Sequence, residues 1–137
     1  MPLSDPAYGY TIHLPDVLVP EARARIVQAL ADQGFGILTE IDVAATLRTK
    51  LGVEVPDYVI LGACNPALAH QALQAEPGIG LLLPCNVCVW REAGQTVVSI
   101  AKPEAMFRIV GNDALQPIAA QASQRLQAAL ATLSAPG

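Results

Sequence analysis

The sequence predicts an α+β fold in which about five mostly antiparallel strands form one layer and helices pack against them as a second layer. Short apolar segments typical of strands are interspersed with segments whose apolar residues recur at helical spacing. A turn-like tetrapeptide at residues 92–95 lies between two strand-like segments and predicts a hairpin. With 53% hydrophobic residues, a chain of 137 residues can form its own core. We therefore expect one domain over residues 1–137, with its core within residues 8–133.

The first half of the chain predicts two strand–helix pairs. The alternation of apolar residues favours strands, and proline suits the first turn of a helix. The first helix has an apolar stripe made of Ala22, Ile26, Ala29 and Leu30. The predicted elements are a strand at 8–14, a helix that begins near Pro20 and ends at Gly34, a strand at 35–41, and a helix capped by Asp42 and ended by Gly52.

The second half predicts a buried strand, a hairpin and three more helices. Residues 58–63 are continuously apolar, which is typical of a strand buried on both faces. Pro84 can donate no ladder hydrogen bond, so we expect a bulge or an edge position there. The remaining elements are a helix opened by Asn65-Pro66, hairpin arms at 80–90 and 96–101, a helix at 103–110, a last helix with the stripe Ile118, Ala122, Leu126, Ala129, Leu130 and Leu133, and a frayed tail at 134–137.

Charge and composition exclude several classes of function. The net charge is −4 and the basic residues are scattered, so no nucleic-acid partner is expected. No apolar run approaches the ~20 residues needed to cross a bilayer, and residues 1–5 lack a signal-peptide pattern, so we expect a cytoplasmic protein without a membrane partner. Phosphate-loop and serine-hydrolase motifs are absent, and no cofactor is predicted. Only 15% of the residues are charged, which favours self-association.

Cys64-Asn65-Pro66 is the most informative tripeptide. Cys64 is expected just before a helix, where unpaired N–H groups and the helix dipole stabilise an anion. A thiol in that position can act as a nucleophile or bind a soft metal. The structural alternative is a small buried residue at the end of a strand, because cysteine is among the most buried residue types.

The segment from Pro84 to Cys88 contains a Cys-x-x-Cys spacing. Residues three apart on a regular strand point to opposite faces, so Cys85 and Cys88 are not expected to share a metal or a disulfide. A second Cys-x-x-Cys, which a structural zinc site needs, is absent. Cys85, which follows the strand-breaking proline, is therefore the better candidate of the two.

The two histidines fit no metal-site spacing. His70 lies on the polar side of its predicted helix, so we expect it to be solvated. His13 is out of phase with the apolar residues around it and is expected at the surface or an edge. A Cys–His pair brought together by folding remains an alternative, because such partners need not be close in sequence.

The chain resembles the Domain of Unknown Function 302 family over roughly residues 8–130. Its most specific part is the pair Cys-Asn-Pro and Leu-Pro-Cys, to which Cys88 does not belong. The resemblance implies a two-layer α+β domain that forms homodimers, with no established reaction. The segments that carry it are Gly34-Phe35-Gly36-Ile37-Leu38-Thr39-Glu40-Ile41-Asp42, Thr46-Leu47, Ile60-Leu61-Gly62-Ala63-Cys64-Asn65-Pro66 with Ala69, and Leu82-Leu83-Pro84-Cys85-Asn86-Val87.

Three functional hypotheses follow. The first is a homodimeric binding module in which Cys64, Asn65, Cys85 and Asn86 line a site for a small anion, a thiol compound or a soft metal such as Cu(I) or Zn(II), with the two cysteines as metal ligands. The second is a structural or interaction domain in which the cysteines are core residues. The third is a thiol enzyme with Cys64 as nucleophile and Cys85 as resolving thiol, for which the sequence offers no obvious general base.

Overall fold

A computed structural model of the protein describes residues 6–134. Within these residues, five strands and five α-helices follow one another, with short 3₁₀ helices at Pro77–Leu82 and Asp113–Leu115. The predicted tail beyond Ser134, and residues 1–5, lie outside the described part. The main elements are β1 (Gly9–Leu14), α1 (Val19–Asp32), β2 (Gly36–Asp42), α2 (Val43–Leu51), β3 (Tyr58–Cys64), α3 (Pro66–Ala75), β4 (Cys85–Glu92), β5 (Gln95–Ala101), α4 (Pro103–Arg108) and α5 (Gln116–Ser134).

The five strands form one antiparallel sheet in the order β1-β5-β4-β3-β2. The β4–β5 hairpin predicted from the sequence is confirmed, with Glu92 opposite Gln95 at its tip. Ala93 and Gly94 both have positive φ, as a tight two-residue turn between antiparallel strands requires. The predicted α+β class with a mostly antiparallel sheet is therefore correct.

Helices α1, α3, α4 and α5 pack on one side of the sheet, and the core lies between these helices and the strands. Alternate residues of the central strands are buried beneath the helices, while their neighbours point to the other side. The long helices α1 and α5 pack beside each other on this layer. The apolar stripes predicted for these two helices are buried in full. The buried strand residues are Val59, Leu61, Ala63, Val87, Val89, Val98 and Ile100.

Helix ends follow the signals in the sequence. The side chain of Asp42 accepts a hydrogen bond from the Ala45 amide at 2.9 Å and caps α2. That helix ends at Gly52, which has a φ of 69° in the left-handed region. Asn65 caps α3 in the same way as Asp42 caps α2, and Pro66 occupies the first turn.

Three local predictions are wrong. Residues 80–82 belong to a 3₁₀ helix and not to the hairpin arm, because the proline that follows cannot join the ladder and β4 begins only at Cys85. The expected bulge near Pro84 is found instead in β2, between Ile37 and Thr39. Strand β3 is also not buried on both faces as predicted, because Ile60, which points away from the core, is only half-buried.

The opposite side of the sheet, which we call the open face, carries a mixed set of side chains. Tyr58 and Trp90 face each other there across β3 and β4. Thr11 and Ser99 form a hydroxyl pair at 2.8 Å on β1 and β5. Within residues 6–134, no helix is both long and apolar enough to cross a membrane.

Candidate cysteine site

Cys64 lies at the junction between β3 and α3. It is the last residue of its strand, and Asn65 begins the helix by accepting a hydrogen bond from the Leu68 amide at 3.1 Å through its side-chain oxygen. Pro66 has no amide hydrogen and a φ suited to the helix, so the chain turns sharply after Cys64. Local sequence therefore fixes the position of this thiol at a strand end.

Cys85 lies at the start of β4, directly after the cis Leu83–Pro84 peptide bond. Its partner across the β3–β4 ladder is Ala63, the residue before Cys64. Antiparallel pairing of these two strands thus brings the two cysteines to the same end of the sheet. Both residues line one cavity between the sheet and the helices.

This cavity has a volume of about 30 Å³, which is room for roughly one or two water-sized groups. Asn65 supplies the polar part of its lining together with the two thiols. Its far wall comes from α4 and α5, which sequence reasoning did not connect with the site because those helices are distant in the chain. The apolar lining residues are Phe35, Ala63, Leu68, Ala69, Ala72, Leu83, Pro84, Pro103, Phe107, Ile118 and Ala122.

Both thiols are held in their neutral form. Burial raises the pKa of Cys64 above its ordinary value. Burial, together with the nearby Cys64, raises the pKa of Cys85 to about 11. The contribution of Cys64 to this shift shows that two thiolates at this site would repel each other. The start of α3 was expected to stabilise an anion at Cys64, whereas burial at this junction favours the neutral thiol.

The amide of Asn65 is packed closely as well as hydrogen-bonded. The residue is buried, and its Nδ2 atom lies 3.0 Å from the position that a Cβ on Gly34 would occupy. Gly34 has a φ of +85°, so the turn after α1 needs a glycine for its backbone as well as for this contact. The Gly34-Phe35 segment thus supports the cap residue and also contributes one wall of the cavity.

The other sequence candidates lie elsewhere. Asn86 does not line the cavity; it is opposite Gly62 on the ladder and lies on the open face. Cys88 also points to the open face, which confirms that it and Cys85 do not share a site. His70 is exposed on α3, as predicted. His13 is half-buried on β1, and its Nε2 atom is buried without a hydrogen-bond partner.

The fold and site together define a class: a two-layer α+β domain with a five-stranded antiparallel sheet and a small cavity flanked by two cysteines. The chain belongs to the family described as "Domain of unknown function DUF302", which matches residues 10–133. It is similar to the crystal structure of an uncharacterised conserved DUF302 protein from Bacillus stearothermophilus, with 32% identity and a TM-score of 0.85. That similarity covers 91% of this chain and 97% of the other. No curated protein matches the sequence.

Proposed function

We propose that this protein is a binding module that holds a single soft metal ion between Cys64 and Cys85. The observation that carries the proposal is the shared cavity, which both Cys64 and Cys85 line at the end of the β3–β4 ladder and in which Asn65 is the remaining polar residue. Thiolate sulfur is the ligand preferred by soft ions such as Cu(I). A cavity of about 30 Å³ suits an ion far better than a thiol compound of several atoms.

A small anion is less well supported. The Leu68 amide at the start of α3 is bonded to the Asn65 side chain, and the Ala69 amide to the Asn65 carbonyl. Pro66 has no amide hydrogen. The donors that make a helix N-terminus attractive to anions are therefore largely in use. An anion would also lie beside two groups that become negative when they ionise.

The electrostatics favour a cation. Because each ionised thiol opposes ionisation of the other, a positive ion between them would replace repulsion by attraction. Binding one Cu(I) to both sulfurs would form two Cu–S bonds and release two protons to solvent. Affinity should therefore rise with pH, by up to about two log units per pH unit while both thiols are protonated in the free protein.

The number of ligands favours Cu(I) over Zn(II). Structural zinc sites use four ligands, and catalytic ones use three protein ligands with water. Over residues 6–134, no group of three or more histidine, cysteine, aspartate or glutamate side chains is placed to hold a metal. A metal ion that needs only two thiolate ligands, as we propose for Cu(I), therefore fits this cavity better than Zn(II) does.

The test is an anaerobic titration of the reduced protein with Cu(I) in competition with a chromophoric Cu(I) chelator. One ion should bind per chain, and binding should be lost in both Cys64→Ser and Cys85→Ser. Cys88→Ser is the matched control, since this third cysteine points to the other side of the sheet. Circular dichroism confirms that each variant is folded. Equal Cu(I) binding by wild type and the Cys64→Ser and Cys85→Ser variants would exclude the site.

The thiol-enzyme alternative has weaker support. A cysteine nucleophile needs a depressed pKa, whereas burial raises the pKa of Cys64. Fast alkylation of Cys64 near neutral pH, selective over the other two cysteines, would support the enzyme hypothesis instead.

We also propose that the protein is a cytoplasmic homodimer. Four large apolar residues are exposed on β2, α2 and the loop that follows: Leu38, Ile41, Leu51 and Val53. Exposed apolar residues within the single segment 38–53 favour a protein interface, here with a second copy of the chain. Light scattering over a dilution series should give the dimer mass for wild type and the monomer mass for Leu51→Glu. The three free cysteines support a reducing compartment.

A further inference from the structure

The open face of the sheet carries a groove of about 490 Å³ that is separate from the cysteine cavity. Its walls include Tyr8, Tyr58 and Trp90, which are three of the six aromatic residues in the chain. Met106 adds a flexible apolar side chain. A volume of this size lies within the range of small-molecule sites, roughly 300–1,000 Å³.

The aromatic walls have a defined geometry. Tyr58 and Trp90 are cross-strand partners whose rings stack with centroids 5.4 Å apart and planes within 11° of parallel. Tyr8 is 65% exposed and lies close enough to Tyr58 to contribute to its raised pKa. The groove is therefore lined by three aromatic side chains, two of which stack on each other.

One carboxylate provides the charge of the groove. Glu92 accepts a hydrogen bond from Trp90 Nε1 at 2.9 Å, which holds the carboxylate beside the indole. No ion pair found within residues 6–134 involves Glu92, and no lysine or arginine lines the groove. Burial, with a further contribution from Cys88, raises the pKa of Tyr58 to about 12, and burial raises that of Cys88, so both stay neutral at pH 7.

We propose that this groove binds a small organic cation with a methylated ammonium group. The negative faces of aromatic rings attract cations, and the attraction is greatest when the cation is easily desolvated. A quaternary ammonium is weakly hydrated, whereas a metal ion or a primary ammonium would lose more hydration than one carboxylate restores. The carboxylate of Glu92, which belongs to no ion pair within residues 6–134, supplies the negative charge that attracts the cation, so no second acidic group is needed.

The experiment uses choline as the probe and 3,3-dimethyl-1-butanol, its neutral isostere, as the matched ligand. Trp90 is the sole tryptophan of the chain, so its fluorescence reports directly from the groove. Choline should give a saturable change in emission with the reduced wild-type protein, and the neutral isostere should bind at least about threefold more weakly. Ligand-observed NMR of the choline methyl signal provides a second readout that does not depend on tryptophan.

Two variants test the named groups. Glu92→Gln and Tyr58→Leu should each weaken choline binding by about threefold or more. Tyr10→Phe is the control, because Tyr10 lies on the helix side, where its hydroxyl donates to Glu104. Equal binding of choline and its neutral isostere would overturn the proposal, as would no saturation at about 10 mM choline. A fluorescence response that depends on protein concentration would show instead that a second copy covers the face, and would also overturn it.

Discussion

Gly62 on β3 lies directly beneath the ring of Pro84. A Cβ atom at Gly62 would be 2.7 Å from Cγ of Pro84 and in still closer conflict with the hydroxyl of Thr39. The missing side chain therefore lets the Leu83-Pro84 segment lie against the sheet. This contact fixes where β4 begins, and with it the position of Cys85.

Gly62→Ala should destabilise the protein by about 1–3 kcal/mol, because the added methyl group has no room. Gly78→Ala is the matched control, since no atom lies within 4 Å of its Cβ position. The control should change the free energy of unfolding by less than about 0.5 kcal/mol. Urea unfolding of both variants measures the difference. Equal midpoints for the two would show that the Pro84 segment moves freely away from β3.

Asn65→Ala should cost about 1–2 kcal/mol of stability through loss of the α3 cap. The side-chain oxygen bonded to the Leu68 amide is the group removed. Asn65→Ser keeps an oxygen in capping position and should recover a large part of the loss, although both variants lack the amide that packs beside Gly34. Chemical unfolding compares them. If serine is as damaging as alanine, the packing of the amide and not the cap determines stability here.

Ser123→Ala should cost about 1.5–3 kcal/mol, because Ser123 is buried and donates a hydrogen bond to the Glu104 carboxylate. Tyr10 donates to the same carboxylate, so the cluster joins β1, α4 and α5. Ser134→Ala, an exposed position on the same helix, serves as the comparison and should be nearly neutral. Thermal or urea unfolding of both variants is the measurement. A neutral Ser123→Ala would mean that the Tyr10 bond alone satisfies the carboxylate.

Stability should fall as pH rises from about 9 to about 11. The pKa of Cys85 is raised in the folded protein from 9.0 to about 11, so folding favours the protonated thiol. That contribution is present in full below the unfolded pKa and is lost as pH rises through the folded pKa, to a total of about 2–3 kcal/mol. Urea midpoints measured across this range should decline less steeply for Cys85→Ala than for wild type. Parallel declines would show that other groups, such as Tyr58, cause the loss.

Much of the fold follows from short-range signals in the chain. Asp42, Asn65 and Gly52 act as caps in the structure because capping depends on residues within one turn of each other. The stripes of α1 and α5 are buried because helical periodicity is itself a local property. The opposite orientations of Cys85 and Cys88 likewise follow from strand geometry alone.

The cysteine cavity and the aromatic groove depend on tertiary structure, because each joins residues that are distant in the sequence. Pairing of β3 with β4 brings Cys64 and Cys85 to one cavity, and α4 and α5 close it from more than a dozen residues further along the chain. Burial in that setting raises the pKa of Cys64, although the sequence places this thiol where a helix dipole favours an anion. The aromatic groove also depends on cross-strand register, which places Tyr58 opposite Trp90 although 32 positions separate them in the numbering. The sequence thus determined the positions of the helices and strands and which of their sides are apolar. Long-range packing determined which of these sides contact each other and how strongly the side chains between them are shielded from water.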